Sequence, residues 1–322
     1  MRAAEAPLLV IPGDDPPQIA GSPHLERLRP HGEVVLHTTR PANDEEKLAR
    51  TREATVILNT RGSVTWSREL LERLPRLKMI ATCSIGVDAI DIKAARDLGI
   101  VVSNVPGRTA KIVAEHAIAL LLAAARQLAF QTAQIRAGRW GRELSTVLVG
   151  KTLGVIGTGA IGCEVIRLGR AIGMEAIAWT FHPSAEKAAA LGCRYVELDD
   201  LLRASDAVSV HLKLTPESRK LVGARELALM KRGGILVNTS RGPVVDTEAL
   251  VAALRSGHLA GAGLDVYDLE PLPPDHPLLA CDRAVLTPHS ADQNPEGIDL
   301  LNGGCVDNVI AYLEGRPQKR VV

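Results

Sequence analysis

The chain has 322 residues, of which 46% are hydrophobic and only 2% aromatic, and its 38 lysines and arginines almost balance 37 aspartates and glutamates. A chain of this length can form two domains and is far too long for one small core. The formal net charge of +1, without a polybasic arm or an acidic tail, argues against nucleic acid or an anionic membrane surface as a partner. Because aliphatic residues carry the burial, we expect Val/Ile/Leu-rich parallel strands covered by Ala/Leu-rich helices.

The five cysteines are widely scattered, with no C-x-x-C pair and no spacing typical of metal ligands. The nine histidines add no spaced cluster, so we assign no metal. The N-terminal apolar run before Pro12 has only four residues, which is too short for a signal peptide. No stretch is long enough to span a bilayer. We therefore expect a soluble protein of the reducing cytoplasm without a membrane partner.

Short apolar runs in the first hundred residues alternate with helical patterns, which predicts β-α-β units and a parallel sheet. The predicted strands are Leu8–Ile11, Val34–Leu36, Thr55–Leu58, Lys78–Thr82 and Ile100–Ser103. The pattern then changes to a long segment rich in Ala and Leu, Ile112–Arg136, whose length favours a helix.

A second series of apolar runs follows that helix. It predicts the strands Leu153–Ile156, Glu175–Trp179, Ala207–His211, Ile235–Asn238, Ala262–Leu264 and Ala284–Leu286. The amphipathic segment Asp299–Glu314 is expected to return to the first domain, with crossovers near residues 104 and 290. We therefore predict an α/β fold of two doubly wound parallel-sheet domains, a substrate domain of residues 1–104 plus 290–322 and a dinucleotide-binding domain of residues 105–289.

Residues 155–162, VIGTGAIG, have the G-x-G-x-x-G spacing directly after the predicted strand Leu153–Ile156. The first glycine permits a tight turn, the second lets the backbone approach a pyrophosphate, and the third lets helix and strand pack closely. The helix predicted over Ala160–Gly173 would direct its N-terminus at the phosphates. Such a spacing also occurs in ordinary turns, but the strand and helix around it favour a dinucleotide site. The predicted loop residues are Gly157, Thr158, Gly159, Ala160, Ile161 and Gly162.

The next strand of this domain lacks the acidic residue that usually binds the adenosine ribose about 20 residues after the glycines. Ala178–Pro183 contains no carboxylate, and Thr180 takes the place of the usual aspartate. Nothing there repels a 2′-phosphate, and His182, or Lys213 in the loop after the strand that ends at His211, would assist one. The arginine typical of such sites is absent. We therefore expect NADP(H) to be accepted and slightly preferred over NAD(H).

Three further polar residues follow predicted strands of the second domain, namely Arg241, Glu270 and His289. Ligands bind outside the carboxyl ends of strands in open α/β sheets, so the three can converge in an anion-binding acid-base site. Taken singly, they have simpler interpretations as a surface charge, a loop residue and a polar core group. Their joint occurrence downstream of the glycine loop favours function. His116, inside the Ala/Leu helix, is interpreted as a packing or interface residue.

These segments resemble the D-isomer-specific 2-hydroxyacid dehydrogenases, which include phosphoglycerate, glycerate/hydroxypyruvate, D-lactate and formate dehydrogenases. The resemblance covers roughly residues 50–316. The motifs that carry it are Ser84-Ile85-Gly86-Val87-Asp88, Val113-Ala114-Glu115-His116, the glycine loop, Asn238-Thr239-Ser240-Arg241-Gly242, Leu264-Asp265-Val266 with Glu270-Pro271, and Thr287-Pro288-His289. It implies a Rossmann cofactor domain inserted in a flavodoxin-like substrate domain. It also implies a homodimer formed through the cofactor domain, for which the helical surface Ile112–Leu128 is suitable.

By this resemblance Arg241, Glu270 and His289 match the family's catalytic residues. A protonated His289 would give its proton to the alkoxide that forms when the cofactor delivers a hydride to a 2-oxo acid. Glu270 would orient the imidazole, and Arg241 would bind the substrate carboxylate and carbonyl oxygen. The substrate-binding set is Ser84, Ile85, Gly86 and Arg241. Besides the glycine loop, the cofactor-binding set is Thr109, Thr180, His182, His211, Thr239, Ser240 and Asp265.

Three alternatives stay open at this point. The same scaffold also serves oxidation of formate or phosphite. The family further resembles corepressors that use the fold as a nucleotide-sensing binding module, and a structural oligomer with vestigial cofactor binding is a third possibility. The intact Arg, Glu and His favour an enzyme that interconverts a 2-oxo acid and a D-2-hydroxy acid, although the residues of the substrate loops do not name the acid.

Overall fold

The computed structural model describes residues 6–322 and divides the chain into two compact units. Unit 1 extends to Thr109 and resumes at Gln293, and unit 2 runs from Ala110 to Asp292. The crossovers thus come slightly later than the predicted 104 and 290. Val105 belongs to the core of unit 1, and the backbone N–H groups of Ser290 and Ala291 donate to Asp265 in unit 2. The functional assignment of the two units stays a prediction.

Unit 1 contains a five-stranded sheet in the order β2-β1-β3-β4-β5, in which every strand pair is parallel. This order is that of flavodoxin-like folds. Its two central strands, β3 and β4, are buried along their whole length because helices cover both faces. The strands are Leu8–Ile11 (β1), Glu33–Leu36 (β2), Val56–Thr60 (β3), Met79–Cys83 (β4) and Val101–Ser103 (β5), and the helices before unit 2 are Pro23–Glu26 (α1), Asp44–Thr51 (α2), Arg68–Leu71 (α3) and Ile92–Asp97 (α4).

Unit 2 contains a seven-stranded parallel sheet in the order β12-β11-β10-β9-β6-β7-β8. The strand order reverses between β6 and β9, as in Rossmann folds, and ligands bind at such a switch point. The strands are Thr152–Ile156 (β6), Glu175–Trp179 (β7), Arg194–Tyr195 (β8), Ala207–Val210 (β9), Gly234–Asn238 (β10), Leu259–Leu264 (β11) and Ala284–Leu286 (β12). The helices are Ala110–Ala125 (α5), Leu128–Arg136 (α6), Ala160–Ala171 (α7), Ala185–Leu191 (α8), Leu198–Ala204 (α9), Ala224–Leu229 (α10) and Thr247–Arg255 (α11).

The predicted fold class is confirmed, with each predicted strand found within one or two residues of its bounds except Ala262–Leu264, whose strand starts three residues earlier. The strand β8 was missed because two polar residues carry no apolar signal. The last helix, Pro295–Leu313 (α12), packs on β4 and returns the chain to unit 1 as predicted.

The predicted single helix Ile112–Arg136 is wrong, because the chain breaks it into α5 and α6 with a bend of 57°. Gln127 has left-handed backbone at φ 52°, and its side-chain amide donates to the carbonyl of Leu144. The residues of α5 are largely buried against α7 and β11 in the core of unit 2. One face of the helical surface Ile112–Leu128 stays exposed, including Leu122 and Leu128, and its part in a dimer stays a prediction.

Within the described part of the chain, no single helix has both the length and the hydropathy needed to cross a membrane, and α5 and α6 meet that test only as a bent pair. All five cysteines are free thiols. The cytoplasm stays the predicted location.

Candidate functional site

The glycine loop joins β6 to α7, and packing explains two of its three glycines. Gly157 has a φ of 98°, and a Cβ there would lie 2.6 Å from the carbonyl oxygen of His211. A Cβ on Gly162 would lie 1.9 Å from the carbonyl oxygen of Gly157. A Cβ on Gly159, which caps the N-terminus of α7, would meet nothing within 4 Å. The tight turn and the open approach at the helix N-terminus therefore both fit a bound pyrophosphate.

The side of this loop that faces β7 is polar. The Thr158 hydroxyl lies 2.7 Å from the hydroxyl of Tyr195, and the Thr158 carbonyl accepts a hydrogen bond from Lys187 Nζ at 3.2 Å. Thr180 follows β7 and is half-buried, whereas His182 is exposed. Ala160 is exposed and Ile161 half-buried in the first turn of α7. The predicted cofactor residues of this region thus surround one end of β6 and β7.

His211 follows β9 and is neutral at physiological pH. Burial lowers the pKa of its imidazole to about 3, and Nε2 lies 2.7 Å from the hydroxyl of Ser209. A neutral ring at this sheet edge adds no charge to the site. It contributes a hydrogen-bonding group and the backbone carbonyl that excludes a side chain at Gly157.

The turn after β10 orients Arg241. The Asn238 side chain accepts from the backbone N–H and hydroxyl of Ser240 at 3.0 and 2.7 Å, and donates to the Arg241 carbonyl at 2.9 Å. Gly242 packs so tightly that a Cβ would lie 2.0 Å from the carbonyl carbon of Tyr267. The turn that carries Arg241 is therefore packed against the loop after β11. The neighbouring Thr239 hydroxyl is buried and has no hydrogen-bond partner among residues 6–322.

His289 and Glu270, for which the resemblance implies an acid-base role, lie in direct contact. His289 Nδ1 lies 2.7 Å from Glu270 Oε2, and Oε1 accepts from the backbone N–H of Tyr267 at 2.9 Å. The carboxylate contact places a proton on Nδ1, which leaves Nε2 available to a ligand. The His289 side chain is 48% exposed, so solvent or substrate can reach it.

The Glu270 carboxyl is ionised in this setting. Burial is the largest single influence on its pKa and acts to raise it, whereas the hydrogen bond and charge of His289 act to lower it, and the sum of all influences leaves the pKa below the usual value. The N–H of Tyr267 and the charge of Arg241 act in the same direction. The geometry therefore brings the three predicted catalytic residues to one edge of the unit 2 sheet, within mutual electrostatic reach.

Asp265 anchors the segment that carries His289. This carboxylate is 1% exposed and accepts from the Thr287 hydroxyl at 2.6 Å, the Ser290 N–H at 2.8 Å and the Ala291 N–H at 3.1 Å. Burial acts to raise the pKa of Asp265, but hydrogen bonds and the charge of His116 lower it overall. Its predicted contact with the nicotinamide end of a cofactor stays a prediction.

His116 and Tyr267 belong to the same network, and the sequence interpretation missed both. His116 Nε2 lies 3.0 Å from the Thr287 hydroxyl and 3.5 Å from Asp265 Oδ1. The Tyr267 hydroxyl lies 2.9 Å from the Thr287 carbonyl, and burial beside Asp265 raises its pKa to about 12. The only sequence signal for His116 was its place in a family motif, because Thr287 is 171 positions away.

The predicted substrate loop lies in unit 1 after β4. Its Ser84 hydroxyl donates to the Gly86 carbonyl at 2.8 Å, and the Asn104 side chain donates to the Ile85 carbonyl at 2.6 Å. Among residues 6–322, the N–H groups of Ile85 and Gly86 have no acceptor. The loop thus presents donors suited to an anion. Thr109, at the end of unit 1, is fully buried, with a hydroxyl that has no partner among the same residues.

In the described part of the chain, no three His, Cys, Asp or Glu side chains are grouped so that they could hold a metal ion.

Comparison with known proteins identifies relatives of the whole chain. Residues 118–291 match the family model described as D-isomer specific 2-hydroxyacid dehydrogenase, NAD binding domain. A glyoxylate reductase of Aeropyrum pernix is 41% identical over 308 residues, which are 92% of each chain. The crystal structure of a glyoxylate reductase from Paecilomyes thermophila superposes with a TM-score of 0.90 at 33% identity over 99% of both chains. A D-lactate dehydrogenase from Aquifex aeolicus, solved with NAD and lactic acid, has a TM-score of 0.84 at 30% identity over 96% of both chains.

We expect Asp265→Asn to lower the free energy of unfolding at pH 7 by about 2–4 kcal/mol, because a buried amide cannot accept all the bonds of the carboxylate. The folded pKa of Asp265 is depressed, so its contribution is present above the unfolded value of about 3.9 and is lost as pH falls through the folded value. Urea unfolding of both proteins at pH 7 and near pH 3 measures the difference. Asp200→Asn, at an exposed aspartate, is the control, and equal midpoints for Asp265→Asn and parent at pH 7 would contradict the anchoring role.

Proposed function

The chain belongs to the D-isomer-specific 2-hydroxyacid dehydrogenase family, and we propose that it is an NAD(P)-dependent reductase of small 2-oxo acids in which His289 is the general acid. The family membership confirms the resemblance drawn from the motifs between residues 50 and 316. It also makes the protein an oxidoreductase with an NAD-binding domain. The observation that carries the finer proposal is the 2.7 Å contact between His289 Nδ1 and Glu270 at the strand ends of that domain.

A nicotinamide dinucleotide, when bound, supplies the hydride that interconverts an oxo and a hydroxy acid. The residues that would hold it are those of the glycine loop, with its pyrophosphate at the N-terminus of α7, and those at the neighbouring strand ends. Thr180, His211 and the buried, unpartnered hydroxyl of Thr239 belong to the second group. The relative solved with NAD supports this use of the fold.

The acid-base chemistry follows from the His289 pair. Glu270 accepts a hydrogen bond from Nδ1 at 2.7 Å and so fixes the orientation of the ring. The opposite nitrogen, Nε2, then donates a proton to the oxygen that gains negative charge as the carbonyl is reduced. Arg241 binds the substrate carboxylate and the same oxygen, because its planar fork matches both acceptors.

The proposed substrates are glyoxylate and 2-oxo acids of similar size. Both glyoxylate reductases compared above match this chain over more than 90% of its length and of their own. The roles of Ser84, Ile85 and Gly86 in binding the substrate carboxylate stay predictions, supported by two backbone N–H groups without an acceptor among residues 6–322. Oxidation of formate or phosphite and a nucleotide-sensing corepressor role are the alternatives.

The proposal is tested by following NADH and NADPH absorbance with glyoxylate, hydroxypyruvate, pyruvate and 2-oxobutyrate, and NAD(P) reduction with formate and phosphite. We expect turnover with the 2-oxo acids. His289→Ala should lower kcat by about a hundred- to ten-thousand-fold and leave cofactor binding intact, because only the proton donor is removed. Near-normal kcat in His289→Ala would exclude it as the general acid, and a parent that turns over none of the acids would contradict the reductase proposal.

A second prediction concerns the shape of the Arg241 cation. Arg241→Lys keeps the charge but cannot form a forked contact, so we expect kcat/KM for the best 2-oxo acid to fall by about a hundredfold or more. Arg255→Lys, at an exposed arginine of α11, is the matched control and should match the parent. Unchanged kinetics in Arg241→Lys would mean that the forked contact has no part in substrate binding.

We also propose a homodimer formed by residues 128–149, which we term the apolar arm. Half of the large apolar side chains that are exposed in the described residues lie in it, namely Leu128, Ile135, Trp140, Leu144, Val147 and Val149. Trp140 is 80% and Leu144 93% exposed. So many exposed large apolar side chains within one 22-residue segment favour an interface, and a second copy of the arm would cover them.

Light scattering after size exclusion should give the parent about twice the chain mass of 34.4 kDa. The double variant Trp140→Glu/Leu144→Glu should give the mass of one chain, because charge at the centre of an apolar interface opposes association. Leu279→Glu, at an apolar residue of unit 2 that is 51% exposed and lies outside the arm, is the control and should leave the parent mass unchanged. A parent of single mass at all concentrations would contradict the dimer.

A further inference from the structure

The structure places a lysine beside the glycine loop, and the sequence analysis gave that lysine no role. Lys187 lies in the first turn of α8, and its Nζ donates to the carbonyl of Thr158 at 3.2 Å. We infer that Lys187 binds the 2′-phosphate of an NADP-type nucleotide and so sets the cofactor preference of this chain. The inference rests on the proposed use of a nicotinamide dinucleotide and deepens it.

The Lys187 ammonium is held by a neutral group, so its charge is not neutralised within the protein. Across residues 6–322 no carboxylate lies within ion-pair distance of it, whereas Arg167 of α7 and Arg203 of α9 have such partners. Its neighbour Glu186 forms no ion pair with it, because adjacent residues of a helix point in different directions. The cation is therefore free to pair with an anionic ligand.

The charge of Lys187 also acts at the N-terminal turn of α7. Burial raises the pKa of the Cys163 thiol, and the positive charge of Lys187 opposes that rise. Cys163 donates to the same Thr158 carbonyl that accepts from Lys187. The cation and the proposed pyrophosphate cradle are therefore adjacent parts of one surface.

The position that would contact the ribose is uncharged. Gly157 donates its N–H to the Trp179 carbonyl at 2.7 Å, so Thr180 follows directly beside the glycine loop. A carboxylate there would bind a ribose 2′-hydroxyl and repel a 2′-phosphate, whereas Thr180 does neither. Thr180 and Lys187 thus both lie beside the loop, and neither side chain carries a negative charge. This arrangement favours a phosphate over a bare hydroxyl at the 2′ position.

The magnitude expected from one exposed lysine is modest but measurable. An ammonium is a compact charge, and its pairing with a phosphate dianion at a partly exposed site is worth about 1–2 kcal/mol, or roughly a five- to thirtyfold ratio of affinities. Because NAD has only a hydroxyl at that position, Lys187 should contribute little to its binding.

The test is isothermal titration of the parent and its variants with 2′,5′-ADP and with 5′-AMP, which differ only in the 2′-phosphate. We expect the parent to bind 2′,5′-ADP about tenfold more tightly than 5′-AMP. Lys187→Ala should lose most of that ratio with an unchanged affinity for 5′-AMP, and Lys187→Arg should retain it. The control is Lys231→Ala. Lys231 precedes β10, so it lies at the amino-terminal ends of the strands, away from the glycine loop, and it pairs with Asp206.

Thr180→Asp is an independent second variant, since it adds the missing carboxylate without altering Lys187. It should weaken binding of 2′,5′-ADP and strengthen binding of 5′-AMP. If the parent binds the two nucleotides equally, or if Lys187→Ala keeps the parent's ratio, the inference is overturned.

Failure of the inference and failure of the proposed function are separate results. A parent that reduces glyoxylate but binds both nucleotides equally loses only the assignment of Lys187. A parent that shows the expected nucleotide ratios but reduces no 2-oxo acid loses only the proposed activity. A parent that binds neither nucleotide and reduces no 2-oxo acid overturns both.

Discussion

The buried carboxylate of Asp265 is the constraint on which the arrangement of the strand ends around His289 depends. An isolated buried charge costs several kcal/mol, so the structure must surround it with donors. Those donors come from the segment after β12 and from α5, namely the Thr287 hydroxyl, the Ser290 and Ala291 N–H groups and His116. The requirement to compensate one charge thereby fixes the backbone on both sides of His289.

Asp265 and Glu270, which both lie in the loop after β11, hold different groups. Asp265 is almost inaccessible and holds backbone, whereas Glu270 is partly exposed and holds the ring of His289. The pKa of each carboxyl is lowered by its partners despite burial, so both are ionised at neutral pH. The buried Asp265 is therefore a structural charge, whereas the more exposed Glu270 is in a position to hold a proton on His289.

The helix α5 connects the core of unit 2 to this edge. Its buried apolar residues pack against α7 and β11, and the same packing holds His116 within reach of Asp265 and Thr287. Because most residues of α5 are buried in the core, the most exposed apolar residues of this part of the chain lie after the break at Gln127. The residues that pack in the core, in α5, are therefore followed directly in the chain by those of the proposed dimer surface, the apolar arm.

Local sequence determined the fold class, nearly all of the strands and the glycine loop, because each depends on residues close together in the chain. Continuous apolar runs identify buried parallel strands, and the spacing of Gly157, Gly159 and Gly162 identifies a tight turn into a helix. The strand ends also identified Arg241, Glu270 and His289 as candidates, since topology brings the carboxyl ends of parallel strands to one edge.

Tertiary structure alone decided how those residues are held. The link from His116 to Thr287, the enclosure of Asp265 and the contact of Lys187 with the Thr158 carbonyl join groups that are distant in sequence, and no local period or spacing encodes such contacts. At the break between α5 and α6, Gln127 likewise contacts the carbonyl of Leu144, and a helical pattern in the sequence does not predict that contact. Local signals specify elements, whereas the compensation of buried charge and the pairing of distant side chains appear only once those elements are packed together.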